Sequence, residues 1–316
     1  MNPSTVRDSA ADITRAVGGV VVGMERAVRL TLAAVLAGGH VLLEDVPGLG
    51  KTLLARSLAG AIGLDFARLQ CTPDLQPADV TGSFVFDPTK REFDFRAGPV
   101  FTGLLLADEI NRTPPKTQSA LLEAMQERQV TVEGRTFPLQ RPFHVLATAN
   151  PVEYEGTYPL PEAQLDRFLL RVDIGYPPAD DEVEVLKRRL ARRTEDTEVG
   201  RVIEDLASLQ RAVEQVDVDD DILKYCVHLA RATREHPAVE VGASPRGSQA
   251  VLLVARALAV IDGRDFVLPE DVKECAVPAL AHRLTLRPET WSSGVSPVEV
   301  VTELLRSVPG PVTSRG

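Results

Sequence analysis

The apolar residues near the N-terminus change from helical spacing to a continuous run and back again. Across residues 25–37 they recur three and four positions apart, and Gly38-Gly39 then supplies a helix stop. The apolar run 40–44 follows at once and leads through a glycine-containing turn into a second helical pattern at 52–61. This order predicts a strand, a loop and a helix.

Short apolar runs then alternate with helical segments. Strands are predicted at 66–69, 104–107 and 145–148, and Thr113-Pro114 opens a helix between the last two. Short apolar strands separated by helices are typical of a parallel sheet that helices cover on both faces. The N-terminal part is therefore predicted to be an α/β domain.

Two stretches interrupt this alternation. Residues 84–95 are extended on both sides of the turn-prone Asp87-Pro88-Thr89-Lys90, and residues 130–139 are extended around Glu133-Gly134-Arg135. Two extended segments about such a turn predict a β-hairpin. We therefore expect two hairpins inserted into the α/β domain.

The pattern changes after Tyr176-Pro177-Pro178, where helical spacing begins to dominate. We accordingly predict an α/β domain at 1–178, a small helical domain at 179–308 and a flexible tail at 309–316. The clearest helical segments of the second part lie at 202–213, 220–234, 245–261 and 269–284.

Charge and composition narrow the range of partners and cellular locations that the chain can have. The chain has 45 Asp and Glu against 35 Lys and Arg, a formal charge of -10, so no nucleic acid is expected as partner. The apolar stretches 30–43 and 250–261 are interrupted by polar residues, and neither reaches the roughly 18–20 residues that span a bilayer. Without a secretory pattern, and with separated cysteines at Cys71, Cys226 and Cys275, a cytoplasmic location is expected.

The turn after the first strand carries a candidate phosphate-binding loop. The loop pattern asks for Gly, four residues and then Gly-Lys-Ser/Thr, and here Asp45 takes the first glycine position. Backbone amides of such a loop cradle phosphates, the lysine offsets their charge and the hydroxyl helps to hold magnesium. The flanking strand and helix favour this interpretation over a chance match, and a nucleoside triphosphate with Mg²⁺ is the expected ligand. The predicted nucleotide-binding residues of the loop are Pro47, Gly48, Leu49, Gly50, Lys51, Thr52 and Leu53.

Two further strands end in polar side chains. The strand at 104–107 delivers Asp108 and Glu109 to the carboxyl edge of the sheet, where open α/β sheets bind ligands. Asp108 is predicted to hold Mg²⁺ through its water shell, and Glu109 to orient and polarise the attacking water. Solvated acids at a strand end are the common alternative. Asn150 is a candidate to bond the γ-phosphate or that water, or is a simple turn residue before Pro151.

With these strands in order, the chain resembles the AAA+ ATPases, and its finer motifs resemble the MoxR family within them. Residues 42–52 are similar to the family's Walker A segment and residues 106–112 to its Walker B segment, while Asn150 matches sensor 1. The resemblance implies a P-loop NTPase core, in which a parallel sheet with inserted β-hairpins lies between helices, followed by a small all-helical lid domain.

The resemblance also assigns roles to residues that their pattern alone leaves open. Arg167 matches the arginine finger, which would reach the nucleotide of a neighbouring subunit; otherwise it is a helix-end arginine paired with Asp166 or Glu162. Ser244-Pro245-Arg246 matches sensor 2, which would place Arg246 near the same phosphates. Val21-Val22-Gly23 is similar to the segment that packs against adenine, or is plain core.

The resemblance further implies a hexameric ring with a chaperone-like role. ATP-driven movement would remodel or activate a protein client, often one with a von Willebrand factor A domain, or would help to insert a metal cofactor. A nucleic-acid motor is an alternative, although the hairpin turns are charge-balanced and carry no stacking aromatics. The other alternative functions are a magnesium-chelatase-like subunit and a slowly hydrolysing nucleotide-gated scaffold.

Overall fold

The computed structural model of the chain describes residues 3–44, 48–150, 157–191 and 198–311. Its strands form one parallel sheet, two antiparallel hairpins and a short C-terminal pair. In chain order the strands are β1 (Val41–Glu44), β2 (Phe66–Gln70), β3 (Gly82–Asp87), β4 (Glu92–Ala97), β5 (Leu104–Asp108), β6 (Gln129–Val132), β7 (Arg135–Pro138), β8 (His144–Ala149), β9 (Leu170–Asp173), β10 (Val239–Val241) and β11 (Thr285–Leu286).

Helices alternate with the sheet strands in the N-terminal part and dominate after β9. Short 3₁₀ turns lie at Ile110–Arg112, Ala281–Arg283 and Pro288–Ser293. The described α-helices are α1 (Pro3–Gly18), α2 (Glu25–Leu36), α3 (Lys51–Ile62), α4 (Pro77–Thr81), α5 (Pro115–Glu127), α6 (Glu162–Leu165), α7 (Ala179–Ala191), α8 (Leu206–Val213), α9 (Asp220–Glu235), α10 (Pro245–Ile261), α11 (Pro269–Leu280) and α12 (Pro297–Ser307).

The central sheet has the strand order β2-β5-β8-β1-β9, and every pairing in it is parallel. Its middle strand β8 is buried at every position, as expected for a parallel sheet covered on both faces. Because parallel strands end at one edge, the sheet brings together Glu44, Gln70, Asp108 and Asn150. The predicted α/β fold with a helical lid is confirmed.

Both predicted hairpins are present, and they pack against each other. Strands β3 and β4 pair in register, as do β6 and β7. The ring of Phe95 stacks on that of Phe137, with centroids 4.0 Å apart. The turns carry no aromatic residue, but the adjoining Phe86 and Phe93 form a cross-strand pair that is 50% and 66% exposed. The first hairpin therefore presents an apolar surface that the composition of its turn does not reveal.

The four predicted C-terminal helices appear as α8 to α11, although α8 begins at Leu206 and α11 ends at Leu280. One apolar cluster joins buried residues of α1, α2 and α3 to those of α8 to α12. The boundary at residue 178 stays a prediction, because helices from both sides of it share this core. No helix among the described residues combines the length and apolarity needed to cross a membrane.

Candidate functional site

The glycine-containing loop turns directly into α3. Gly48 and Gly50 have φ angles of 92° and 80°, which residues with a Cβ rarely adopt. Gly50 takes the N-cap position and Lys51 is the first helical residue, so the amides of the first turn lie where a helix stabilises an anion. Pro47 lies outside the described residues. The loop and the helix start together form a cradle for phosphate.

Two adjoining cavities open at this loop, and both are lined by Gly48, Leu49 and Gly50. One measures about 590 Å³ and lies on the side of α7. The other measures about 240 Å³ and is called here the phosphate cavity. Its lining residues are Gly48, Leu49, Gly50, Lys51, Thr52, Arg68, Asp108, Glu109, Thr148, Ala149 and Asn150.

The larger cavity, called here the base cavity, is mainly apolar. Val22, Gly23 and Leu53, three of the predicted nucleotide-binding residues, line it. A Cβ on Gly23 would lie 2.8 Å from the Cβ of Pro177, so only glycine permits this close approach. An apolar cavity that continues into a phosphate cradle suits the base and ribose of a nucleotide.

Asp108 is partly buried at the end of β5, and both of its carboxylate oxygens accept hydrogen bonds. The Thr148 hydroxyl donates to Oδ1 at 2.7 Å. The Arg68 guanidinium donates to Oδ2, at 2.7 Å from Nη2 and 3.2 Å from Nε. The carboxylate is therefore held at the wall of the phosphate cavity by two neighbouring strands.

Glu109 has a left-handed backbone, with φ 59° and ψ 50°. Its amide donates to the Thr148 hydroxyl at 2.8 Å. Its carboxylate Oε2 accepts from Arg112 at 3.0 Å and from the Gln70 amide at 3.1 Å. A left-handed backbone is strained for a residue with a Cβ, and it persists only where surrounding contacts impose it. In this conformation the Glu109 side chain lines the phosphate cavity.

Lys51, Thr52 and Asn150 also line the phosphate cavity, and Asn150 is buried. The structure thus brings together these residues and the acid pair, as the sequence predicts. A carboxylate and a hydroxyl beside a phosphate cradle are oxygen donors of the type that Mg²⁺ uses when phosphates and water complete its shell. Asp108 and Thr52 therefore fit the predicted metal.

Arg167 and Arg246 line neither cavity. The Arg246 guanidinium lies 3.9 Å from Asp166 instead, outside the phosphate cavity of its own chain. Asp166 also accepts a 2.7 Å bond from the buried Arg283. Among the described residues, no carboxylate pairs with Arg167, which differs from the helix-end ion pair that is its structural alternative.

Sequence reasoning missed four side chains that hold the acid pair: Arg68, Gln70, Arg112 and Thr148. The strand pairing in the structure explains two of them. Strand β2 pairs with β5 so that Gln70 stands opposite Asp108, and Arg68 lies on the same face two positions earlier. The contribution of α7 to the base cavity was missed as well. The helix residues that line it are Glu182, Val185, Leu186, Arg188 and Arg189.

Burial raises the pKa of two groups beside the loop and the acid pair. It raises the pKa of the Cys71 thiol to about 11, so the thiol stays protonated near neutral pH and is no nucleophile. Burial also raises the pKa of Glu44, and the Arg171 guanidinium 3.4 Å away opposes that shift. The pair of Glu44 and Arg171 joins the neighbouring strands β1 and β9.

Two family models match the chain. The model of the ATPase family associated with various cellular activities (AAA) matches residues 40–170, which include the loop, the acid pair, Asn150 and Arg167. A model of the AAA lid domain matches residues 231–304, which include Arg246. Both parts of the predicted architecture are thus represented.

Similar proteins extend over almost the whole chain. The chain is 51% identical to the uncharacterized protein YeaC of Bacillus subtilis, over 93% of its own length and 92% of that protein. It is 43% identical to chaperone MoxR1 of Mycobacterium tuberculosis, over 92% of this chain and 79% of that one. The crystal structure of an ATPase candidate from Cytophaga hutchinsonii has a TM-score of 0.91 at 40% identity, with 98% of this chain and 97% of that chain covered.

Proposed function

Since the chain belongs to the MoxR family of AAA+ ATPases, we propose that it is a chaperone-like motor that hydrolyses magnesium-bound ATP in a ring of subunits. The movement would remodel or activate a protein client or assist the insertion of a metal cofactor. The observation that carries the proposal is the acid pair, Asp108 and Glu109, on the wall of a cavity formed by a phosphate cradle.

The predicted site residues that line the phosphate cavity have distinct roles in this mechanism. The amides around Gly50 hold phosphate oxygens, and Lys51 offsets their charge. Thr52 and Asp108 would hold magnesium, which supplies charge neutralisation at the phosphates when bound. Glu109 orients the attacking water and takes its proton as the water oxygen bonds to the terminal phosphorus and the bridging oxygen leaves with ADP. Asn150 fixes the terminal phosphate or that water.

Arg167 is proposed to act on the nucleotide of the next subunit. It lines neither cavity of its own chain, and among the described residues no carboxylate neutralises its charge. Asp166, the adjacent acid, is engaged by Arg283 and Arg246 of the helical part instead. An arginine brought to a neighbouring site stabilises the charge that develops on the transferred phosphoryl group. Arg246, which also lies beside Asp166, would act on the same phosphoryl group.

The first hairpin is the proposed contact with the client. Its strands and turn carry three acidic and three basic residues between Gly82 and Ala97, so it offers no net charge to attract a phosphate backbone. The exposed pair of Phe86 and Phe93 offers apolar surface to an unfolded or partly folded polypeptide. A hexameric ring would present six copies of this pair; that subunit number, like a client with a von Willebrand factor A domain, rests on the family resemblance.

A nucleic-acid motor is the second candidate, because exposed aromatic rings also stack on bases. Binding of single-stranded DNA that weakens steeply with salt would support it. The absence of such binding at low salt would remove it. A slowly hydrolysing scaffold would differ from the proposed motor in its turnover rate. A magnesium-chelatase-like subunit would differ from it in its partner.

The proposal is tested by measuring steady-state ATPase activity against protein concentration, with assembly followed by light scattering in the same samples. We expect specific activity to rise with assembly, and Arg167→Ala to abolish it while rings still form. Arg306→Ala, which removes an exposed arginine away from both cavities, is the matched control and should keep wild-type activity. Activity that is independent of concentration, or full activity in Arg167→Ala, would overturn the shared site.

A further inference from the structure

Arg68 places a guanidinium on the acid that is assigned to the metal. It lies on β2, whose register with β5 sets Gln70 opposite Asp108 and turns Arg68 to the same face. Its Nη2 and Nε atoms both donate to Asp108 Oδ2, and Nη2 also donates to the Gln70 side chain at 2.9 Å. Arg68 lines the phosphate cavity together with Lys51 and Thr52.

The two oxygens of Asp108 are held in different ways. Oδ1 accepts from Thr148, a residue of the buried strand β8, and this bond belongs to the rigid frame of the sheet. Oδ2 accepts from Arg68, a long side chain that is 47% exposed while that of Asp108 is 15% exposed. The first bond can stay in place while Arg68 turns away on its flexible stem.

A hydrated magnesium ion held at Asp108 would compete with Arg68 for Oδ2. Water molecules of its shell bind a carboxylate by donating hydrogen bonds, and the guanidinium donates to the same lone pairs. Two cations at one carboxylate also repel each other, more strongly beside a partly buried acid than in bulk water. The guanidinium and the ion therefore oppose each other at Asp108.

We propose that Arg68 is a positioning residue that competes with Mg²⁺ for Asp108 and thereby sets how strongly nucleotide binding depends on the metal; this rests on the proposed function. While it is paired, Arg68 neutralises an acid that would otherwise repel the phosphates. With Mg²⁺ bound at Asp108, the guanidinium would be released from Oδ2 and would turn away on its flexible stem.

A purely structural ion pair is the alternative. With a partner 47% exposed, the pair contributes at most about 1 kcal/mol to the fold. Its loss would then shift the denaturant midpoint slightly and leave the metal dependence of binding unchanged. The two roles are thus separated by a ligand-linked measurement.

The experiment measures the dissociation constant of a fluorescent ADP analogue in EDTA and at saturating Mg²⁺. The constant in EDTA divided by the constant with Mg²⁺ expresses the metal dependence of binding. In Arg68→Gln, binding in EDTA should weaken because Asp108 is no longer neutralised. Binding with Mg²⁺ should weaken less or improve, since the competitor is gone. The ratio should rise at least about threefold, the scale of one partly exposed ion pair.

Three further variants sharpen the result. Arg68→Lys keeps the charge and should return the ratio toward the wild-type value. Arg306→Gln, an exposed arginine away from both cavities, should leave it unchanged. Combining Arg68→Gln with Asp108→Asn should abolish the effect of the first substitution, because the contested acid is gone.

The outcomes are distinct. An unchanged or smaller ratio in Arg68→Gln, or an equal rise in the Asp108→Asn background, would overturn the competition. If wild-type protein binds no nucleotide under any of these conditions, the proposed ATPase function itself fails.

Discussion

Thr148 connects the two acids of the site to the neighbouring strand. Its hydroxyl donates to Asp108 and accepts from the Glu109 amide, so one side chain fixes both the carboxylate proposed to hold the metal and the backbone of the next residue. Gln70 and Arg112 then hold the Glu109 carboxylate. The acid pair is thus oriented by its surroundings before any substrate binds, which is the arrangement that efficient general base catalysis needs.

Glu109→Gln tests the proposed general base. We expect ATP binding to be retained, since the amide has the same shape and the phosphate cradle is untouched. Turnover should fall by about a hundredfold or more, because the amide cannot accept the proton of the attacking water. Equilibrium binding and single-turnover hydrolysis measured on the same preparation separate the two effects; unchanged turnover would remove the assigned role.

At this scale the sequence predicts the residues that belong to motifs and misses those that support them. Lys51 and the acid pair stand at fixed positions relative to a strand end, so their place follows from the local pattern. Arg68 and Thr148 are recognised only once β2 and β8 are known to flank β5, because their partners are 40 residues away in the chain. Side-chain partners across a parallel sheet depend on strand order, which no local pattern contains.

The two hairpins act as one element through a cluster of rings. Phe95 stacks on Phe137, and Phe84 packs against both at centroid distances of 5.6 and 6.2 Å. The Arg135 guanidinium covers the Phe84 ring at 5.1 Å. Because rings from both hairpins pack together, we expect a displacement of one hairpin to be transmitted to the other.

A double-mutant cycle on Phe95→Ala and Phe137→Ala measures this coupling. The two substitutions should be non-additive by about 0.5–1.5 kcal/mol, the usual value for a stacked aromatic pair. The free energy of unfolding from urea titration is the measurement. The control cycle of Phe86→Ala with Phe137→Ala should be additive, because Phe86 pairs with Phe93 instead. Additivity in the first cycle would show that the hairpins are independent.

Several elements with a clear local signal were predicted, and α7 was not. The hairpins follow from their turns, and α8 to α11 follow from apolar spacing. The helix α7 has no buried residue, and Val183, Leu186 and Leu190 stay exposed along it. Its apolar positions therefore do not mark a face that packs on the core, which is the feature that periodicity detects.

At the scale of the whole molecule, an ion-pair network joins the first helices to the C-terminal ones. Arg29 of α2 donates two bonds to Glu274 of α11, at 2.8 and 3.2 Å. It donates two more to Asp262 at the end of α10, at 2.8 and 3.0 Å. Together with the shared apolar core, this network makes α2 and the C-terminal helices one mechanical unit. The partners lie more than 230 positions apart, so no local pattern predicts them.

Arg29→Met should loosen this unit. Glu274 loses its guanidinium partner and Asp262 is left with Arg264, so the free energy of unfolding should fall by about 1–2 kcal/mol, a value reduced by the partial exposure of these side chains. Amide hydrogen exchange should increase in α11 and at the end of α10. Arg15→Met, which breaks an exposed pair with Asp12, is the control and should have little effect. Unchanged exchange in α11 would contradict the role of the network.

The left-handed backbone of Glu109 has a consequence for the evolution of this protein. For a residue with a Cβ, that conformation lowers the free energy of unfolding by about 1–2 kcal/mol, whereas glycine adopts it readily. A screen for heat tolerance that ignores ATP turnover would thus favour glycine here and would select against the proposed general base. Any directed evolution of a more robust variant needs turnover as a second selection.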